Sequence, residues 1–340
     1  MAGTNRTLID VHQHAVLPRY RAAREAHGSA AAFMPPWTPE AALDMMDRQG
    51  IEASVLSFAA FGVHLGDDQQ AADLARGCNE DFVQIRTEHP RLGAFATLPI
   101  PNIDLACTEA VHALDVLGLD GVAVMTSYGD MVFGHPDMFP LFEILDARGA
   151  VVYIHPTAPA PTDQLNVRCP EWLLDYPVAT TKTLVTLLLN DVIDQFPNIR
   201  FILSHGGGCL AALGWRIPNV IAGQMATWAR PLYPTALVDR NPSLTADRVR
   251  ELLGRMYYDT ALIPSRPIVS ALVDLVGPGQ LLFGSDWPYA DEDTVREEAA
   301  FWEDGGGGLP PEQQAAIQHH TAVALFPRLA SVLSVSGTQR

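Results

Sequence analysis

Val151-Val152-Tyr153-Ile154-His155-Pro156 is an unbroken apolar run closed by an imidazole and a proline. A run this short, built of β-branched and aromatic residues, reads as a strand covered on both faces, the condition of a parallel sheet. Outward from it the same design recurs, and the expected strands are Leu8 to Val11, Ala53 to Ser57, Gly93 to Thr97, Gly121 to Met125, Val151 to Ile154, Arg200 to Ser204, Met256 to Asp259 and Leu281 to Gly284. Between them, a 3.6-residue apolar period predicts helices over Pro39 to Gln49, Gln69 to His89, Ile103 to Leu117, Met138 to Arg148, Thr180 to Phe196 and Pro311 to Leu325. Gly50, Gly118 and Gly149 follow helical runs and read as C-terminal caps. Eight alternating βα units with no dividing linker predict an α/β protein, a single-domain (β/α)8 TIM barrel over residues 1–340 with loop insertions. Residues 215–250, the longest irregular stretch, are expected to form an insertion or an oligomer contact. The Gly305 to Gly308 run reads as a flexible surface turn.

Composition excludes several classes of function. A net charge of -17 repels nucleic acid and anionic membrane, so neither is an expected partner. No apolar run approaches the roughly 18 residues that cross a bilayer, and the N-terminus lacks the pattern of a secretory signal. A cytoplasmic protein is expected. Cys78, Cys107, Cys169 and Cys209 are widely spaced without a CxxC pair, which argues against a disulfide framework or a thiolate zinc site.

The chemistry gathers at strand ends. Asp10-Val11-His12-Gln13-His14 closes the first strand, and residues two apart share a face, so both imidazoles enter the barrel mouth together. Asp10 is assigned to the other side as a structural or orienting partner. His155 ends the fifth strand, His205 the sixth in Ser-His-Gly-Gly-Gly, and Asp286 follows the eighth in Gly-Ser-Asp-Trp-Pro. Every strand of such a barrel opens its C-terminal end on one mouth, so these side chains converge there. Three imidazoles and one carboxylate leave open positions on a zinc-like ion, as a catalytic site requires. Phe58, Phe61, His64, Tyr128 and Trp287 are the candidates for a pocket wall suited to a planar substrate. Arg19 is a candidate for meeting a carboxylate, whereas His135, His319 and His320 read as surface residues.

The DxHxH start, the strand-five HP, the HGGG and the GSDWP together resemble the amidohydrolase superfamily, and within it the aminocarboxymuconate-semialdehyde decarboxylase-like branch. The resemblance covers nearly the whole chain, including Met46 to Ile51 and Phe196 to Arg200, and Met125 to Gly129 with Phe133 to Pro136 look most like the 6-methylsalicylate decarboxylases. It implies His12, His14, His155 and Asp286 as ligands of one divalent ion, zinc or manganese, with His205 handling protons beside it. Arg216 matches an arginine that reaches a neighbouring subunit's substrate carboxylate, which implies a homodimer. The chain departs from the aminocarboxymuconate enzymes where Ala42 stands in place of a second substrate arginine, and this favours an aromatic monocarboxylate. Binuclear members use a carboxylated lysine on the fourth strand; Met125 and Thr126 stand here, so one ion is expected.

The expected activity is therefore non-oxidative decarboxylation of a small hydroxybenzoate-like acid, with Asp286 or His205, or a metal-bound water poised by them, protonating the ring carbon. The same constellation could instead activate water to hydrolyse a lactone, ester or amide, with His205 as base. The sequence does not separate the two.

Overall fold

A computed structural model describes residues 8–28, 34–58, 62–157, 169–224 and 244–337. Strands β1 (Leu8–His14), β2 (Ile51–Ser57), β3 (Leu92–Ala94 continued by Ala96–Thr97), β4 (Val122–Met125), β5 (Val151–His155), β6 (Arg200–Leu203), β7 (Tyr257–Asp259) and β8 (Leu281–Leu282) stand where the apolar runs predict them. Each pairs in parallel with its neighbour in chain order. Strand β3 is interrupted at Phe95, whose N–H donates to Leu56 O while Ala96 N–H donates to Gly121 O, both at 2.9 Å, carrying the ladder from β2 to β4. At the other edge Val11 N–H donates to Phe283 O (3.0 Å) and Asp286 N–H to His12 O (2.7 Å), tying the chain at β8 back to β1. This is the strand order of the (β/α)8 fold. Among the described residues no helix is long and apolar enough to cross a membrane.

Ile9, Val11, Ala53, Val55, Phe95, Ala123, Val151, Tyr153, Ile202 and Leu282 form one buried cluster with Ala322, Leu325, Phe326 and Leu329 from the C-terminal helices. A larger cluster lies between strands and outer helices. The phase of β1 matters to the site. Strict alternation would put Asp10 on the same face as His12, but the register with β2 slips between Asp10 and Gln13. This bulge reverses the phase of the strand. Ile9 and Val11 therefore face the inner cluster below the bulge, His12 and His14 face the mouth above it, and Asp10 lies on the other side.

The helix over Pro39–Gln49 has the expected bounds, with Thr38 Oγ accepting Ala41 N–H and Gly50 closing it at φ 69°. Gly118 and Gly149 also adopt positive φ, as caps require. Three predicted helices differ. Those over 103–117 and 311–325 each pass into a π-turn, at His112–Val116 and Ala316–His320. The helix expected from Thr180 starts at Glu171, because exposed Trp172, Leu173 and Leu174 break the apolar period on which the shorter prediction rests. It ends at Leu189, before Asp191 at φ 53° and a separate turn over Val192–Gln195. The glycine run at 305–308 is not simply a flexible surface turn: all four residues have positive φ, and Gly306 is buried against Trp302.

Candidate metal centre

His12, His14, His155 and Asp286 each offer a donor atom, all within 4.8 Å of one another and all buried. His12 Nε2 lies 3.1 Å from His14 Nε2, and Asp286 Oδ1 lies 2.9 Å from His14 Nε2 and 3.2 Å from His12 Nε2. Ligand atoms around a tetrahedral zinc ion, each about 2.1 Å from it, stand roughly 3.4 Å apart. The spacing fits one ion.

The far side of each ring is already engaged. His155 Nδ1 donates to Pro156 O (2.8 Å), so its Nε2 is bare, and His14 Nδ1 sits 3.1 Å from Ser57 Oγ. His12 Nδ1 lies 3.0 Å from Asp259 Oδ2, off the line of a straight hydrogen bond. Partners of this kind turn a ligating imidazole toward its ion. Asp259 also accepts His205 N–H (2.9 Å), Ala261 N–H (3.1 Å) and the Tyr153 hydroxyl (3.2 Å). His205 Nδ1 donates to Ala261 O (3.0 Å), and its ring centroid is 4.9 Å from that of His12.

The electrostatics suit a cation. Burial pushes His14 below its usual range, with an Asp286 hydrogen bond partly opposing it; burial followed by repulsion from the neighbouring imidazoles pushes His155 well below. Both are neutral, the form that binds metal. Burial alone would lower His12, but the charges of Asp259 and Asp286 outweigh it and lift the group to about 10. Asp286 shows the converse: burial raises it, and attraction to His12 with hydrogen bonds from both imidazoles holds it well below the carboxylate range. These carboxylates call for a positive charge between them.

Backbone close to the site is specialised. A Cβ on Gly284 would lie 2.7 Å from that of His12, and one on Gly208 would lie 2.0 Å from Pro177 O. Asp10 accepts His12 N–H and Ser285 N–H on one oxygen and the Ser285 hydroxyl (2.6 Å) on the other, fastening β1 to the segment that carries Asp286. Burial raises its carboxyl to about 6 against those hydrogen bonds.

The expected pocket wall fares unevenly. Phe58 is buried, stacked on Tyr20 at 4.5 Å and tilted against Phe82, so it packs the core. His64 Nε2 lies 3.0 Å from Asp68 Oδ1, the Tyr128 hydroxyl accepts Met125 N–H, and Trp287 packs partly buried against the main core. Arg216 is exposed on the short helix Arg216–Asn219, and no hydrogen bond among the described residues joins it to the cluster. Arg19 forms a two-point pair with Asp81. Phe61 and most of the 215–250 segment lie outside the described residues. Besides buried Tyr153, 5.3 Å from His12, the rings that meet the cluster are Tyr289, 5.4 Å from His14, and Tyr176, 6.4 Å from His155. Sequence reasoning missed both, and it missed Asp259, although the strand-end rule that selects His155 and His205 applies equally to the last residue of β7.

The chain belongs to the amidohydrolase family, whose pattern matches residues 9–328. It is 33% identical over 332 residues to a 6-methylsalicylic acid decarboxylase of Penicillium expansum, spanning 96% of this chain and 98% of that one. A 6-methylsalicylic acid decarboxylase of Aspergillus aculeatus is 35% identical over 329 residues, spanning 94% and 96%. A dihydroxybenzoic acid decarboxylase from Polaromonas, solved with manganese and the inhibitor 2-nitroresorcinol, shares the fold at TM-score 0.76 and 21% identity, covering 95% of this chain and 96% of that one.

Proposed function

We propose that the protein is a metal-dependent, non-oxidative decarboxylase of small hydroxybenzoate-like acids, with 6-methylsalicylate the first substrate to test. The observation that carries this reading is the convergence of three imidazole nitrogens and Asp286 Oδ1 at the barrel mouth, with His155 Nδ1 and His14 Nδ1 hydrogen-bonded on their far sides and His12 Nδ1 facing the Asp259 carboxylate. Close identity to 6-methylsalicylic acid decarboxylases over almost the full chain supports the substrate class.

His12, His14, His155 and Asp286 hold the ion. When bound, it would supply a Lewis acid that withdraws charge from the substrate. Three imidazoles favour zinc; manganese, carried by the Polaromonas enzyme, is the competitor. Tyr176 and Tyr289 flank the ring on the solvent side. His205 and Asp286, each 8% exposed, are more accessible than the other members of the cluster. His205, or Asp286 after it has itself taken up a proton, delivers that proton to the ring carbon bearing the carboxylate; the C–C bond then breaks, its electron pair restores the aromatic ring, and carbon dioxide leaves. His205 suits this role because Ala261 O holds the Nδ1 proton in place, so Nε2 is the atom that takes a proton from solvent and passes it to the ring carbon. Arg216 serves the carboxylate in a neighbouring subunit of a homodimer, and exposed Trp215, Trp172 and Leu173 supply apolar surface for that contact. The free cysteines fit a cytoplasmic setting.

The test is turnover of a hydroxybenzoate panel by zinc- and manganese-reconstituted protein in deuterated water. Carbon dioxide and a phenol deuterated at the vacated carbon are expected, and absence of both across the panel would refute the assignment. Size-exclusion with light scattering reports the dimer, and Arg216→Ala should raise KM.

A further inference from the structure

Glu298 has no part in the reaction just described, yet it lies beneath the site. It projects from the helix Glu292–Glu303, is 2% exposed, and accepts Leu262 N–H on Oε1 at 2.5 Å. Its other oxygen is buried without a partner. Leu262 N–H belongs to the same peptide group as Ala261 C=O, the carbonyl that holds His205 Nδ1 at 3.0 Å. One peptide unit thus bridges the two side chains: His205 Nδ1–H meets its oxygen and Glu298 meets its N–H.

That peptide is held against a preference to turn. Leu262 has φ 58°, a left-handed conformation that a branched, non-glycine residue adopts only at a cost of about 1–3 kcal/mol. Rotating the peptide would relieve the strain and carry the Ala261 carbonyl away from His205. Two contacts oppose it: Asp259 Oδ1 fixes Ala261 N–H on one side of the turn, and Glu298 Oε1 fixes Leu262 N–H on the other. Asp259 alone leaves the 261–262 peptide free to rotate, since its bond is to the preceding amide.

We infer that Glu298 is a positioning residue that locks the Ala261–Leu262 peptide and so keeps His205 in its Nδ1–H tautomer, with Nε2 available to the substrate. Burial raises the Glu298 carboxyl to about 9, so it is a neutral acid at ordinary pH and glutamine is its near match. The inference rests on the proposed role of His205, but its first readout does not.

The experiment is 15N spectroscopy of histidine-labelled, metal-loaded protein, with the His205 signal assigned from His205→Asn. Wild type and Glu298→Gln should both show the Nδ1–H form. Glu298→Leu should show a mixture of tautomers with metal content unchanged. On the proposed substrate, Glu298→Leu should lower kcat roughly 10- to 100-fold with KM little altered, and Glu298→Gln should restore most of it. A pure Nδ1–H signal in folded Glu298→Leu overturns the inference. If spectra follow expectation but no hydroxybenzoate is turned over, the positioning role stands and the assigned activity falls. Should Glu298→Leu not fold, Glu298→Asp, which draws the acceptor back by one methylene, and hydrogen exchange at the Leu262 amide of wild type carry the same test: fast exchange at that amide would also overturn it.

Discussion

Replacing Asp259 by asparagine isolates one contact of the metal centre. Oδ1 accepts His205 N–H and Ala261 N–H, and an amide oxygen can keep both. The other position faces the Tyr153 hydroxyl, which can accept from an amide as readily as it donates to a carboxylate. Only His12 is left in conflict, because an N–H then points at a ring N–H across 3.0 Å. To escape, His12 must move its proton to Nε2, the atom that belongs to the ion. The loss is one charge-assisted contact, about 1.5–3 kcal/mol, and at 1.4 kcal/mol per decade this is roughly a 10- to 100-fold weaker metal affinity. The fold should survive, since three of four contacts persist. Competition with a chromophoric chelator measures the affinity, and circular dichroism checks the fold. An affinity within about twofold of wild type would show that Asp259 does not set the tautomer of His12, and the reasoning would fail.

Three further outcomes are expected. His12→Ala combined with His14→Ala should reduce bound metal from about one equivalent to none without unfolding the barrel, and retention of the ion by the double variant would exclude the assigned donor set. Phe58→Ala should cost about 3–5 kcal/mol in denaturant unfolding while leaving KM unchanged; a raised KM without loss of stability would return Phe58 to the pocket wall. The third concerns pH. Glu298 ionises near 9 in the fold against an ordinary value of 4.5, chiefly because it is buried, with Asp286 and Asp10 raising it further and its Leu262 hydrogen bond and His12 opposing. Between those values the folded state holds more protons than the unfolded one, so this group's contribution to stability falls as pH rises. Glu298→Gln should therefore gain on wild type in unfolding free energy from pH 5 to pH 9, and parallel profiles would contradict the buried neutral acid.

Most of the barrel was legible because its strands carry continuous apolar runs and its helices carry an amphipathic period; both signals are local. The clustered His12, His14, His155 and Asp286 were legible for a related reason, since a polar residue closing an apolar run stands out. What escaped depends on contacts between distant segments. Tyr176 and Tyr289 are ordinary aromatics until folding brings one to His155 and the other to His14, 21 residues and 275 residues away. Phe58 failed in the opposite sense: its place just past β2 fits a pocket wall, but Tyr20 and Phe82, on separate helices, enclose it. The bulge in β1 is invisible to a two-residue period, although it decides which side of the strand faces the metal.

The same dependence explains the backbone at the mouth. His205, Leu262 and Asp286 follow β6, β7 and β8 in turn, and each has positive φ, at 53°, 58° and 58°. Leucine does not favour that conformation locally, and histidine and aspartate enter it only somewhat more readily than other side chains. In each case, however, the strained residue's own N–H is held from elsewhere: His205 by Asp259, Leu262 by Glu298, and Asp286 by the carbonyl of His12. Three left-handed residues at about 1–3 kcal/mol each are more than a marginally stable domain keeps without compensation. The bonds that hold them also aim the His205 imidazole and the Asp286 carboxylate at the cluster. Strain and aim thus have a common origin, so a substitution that removes one of these acceptors should disturb side-chain direction at the metal centre before it disturbs the fold.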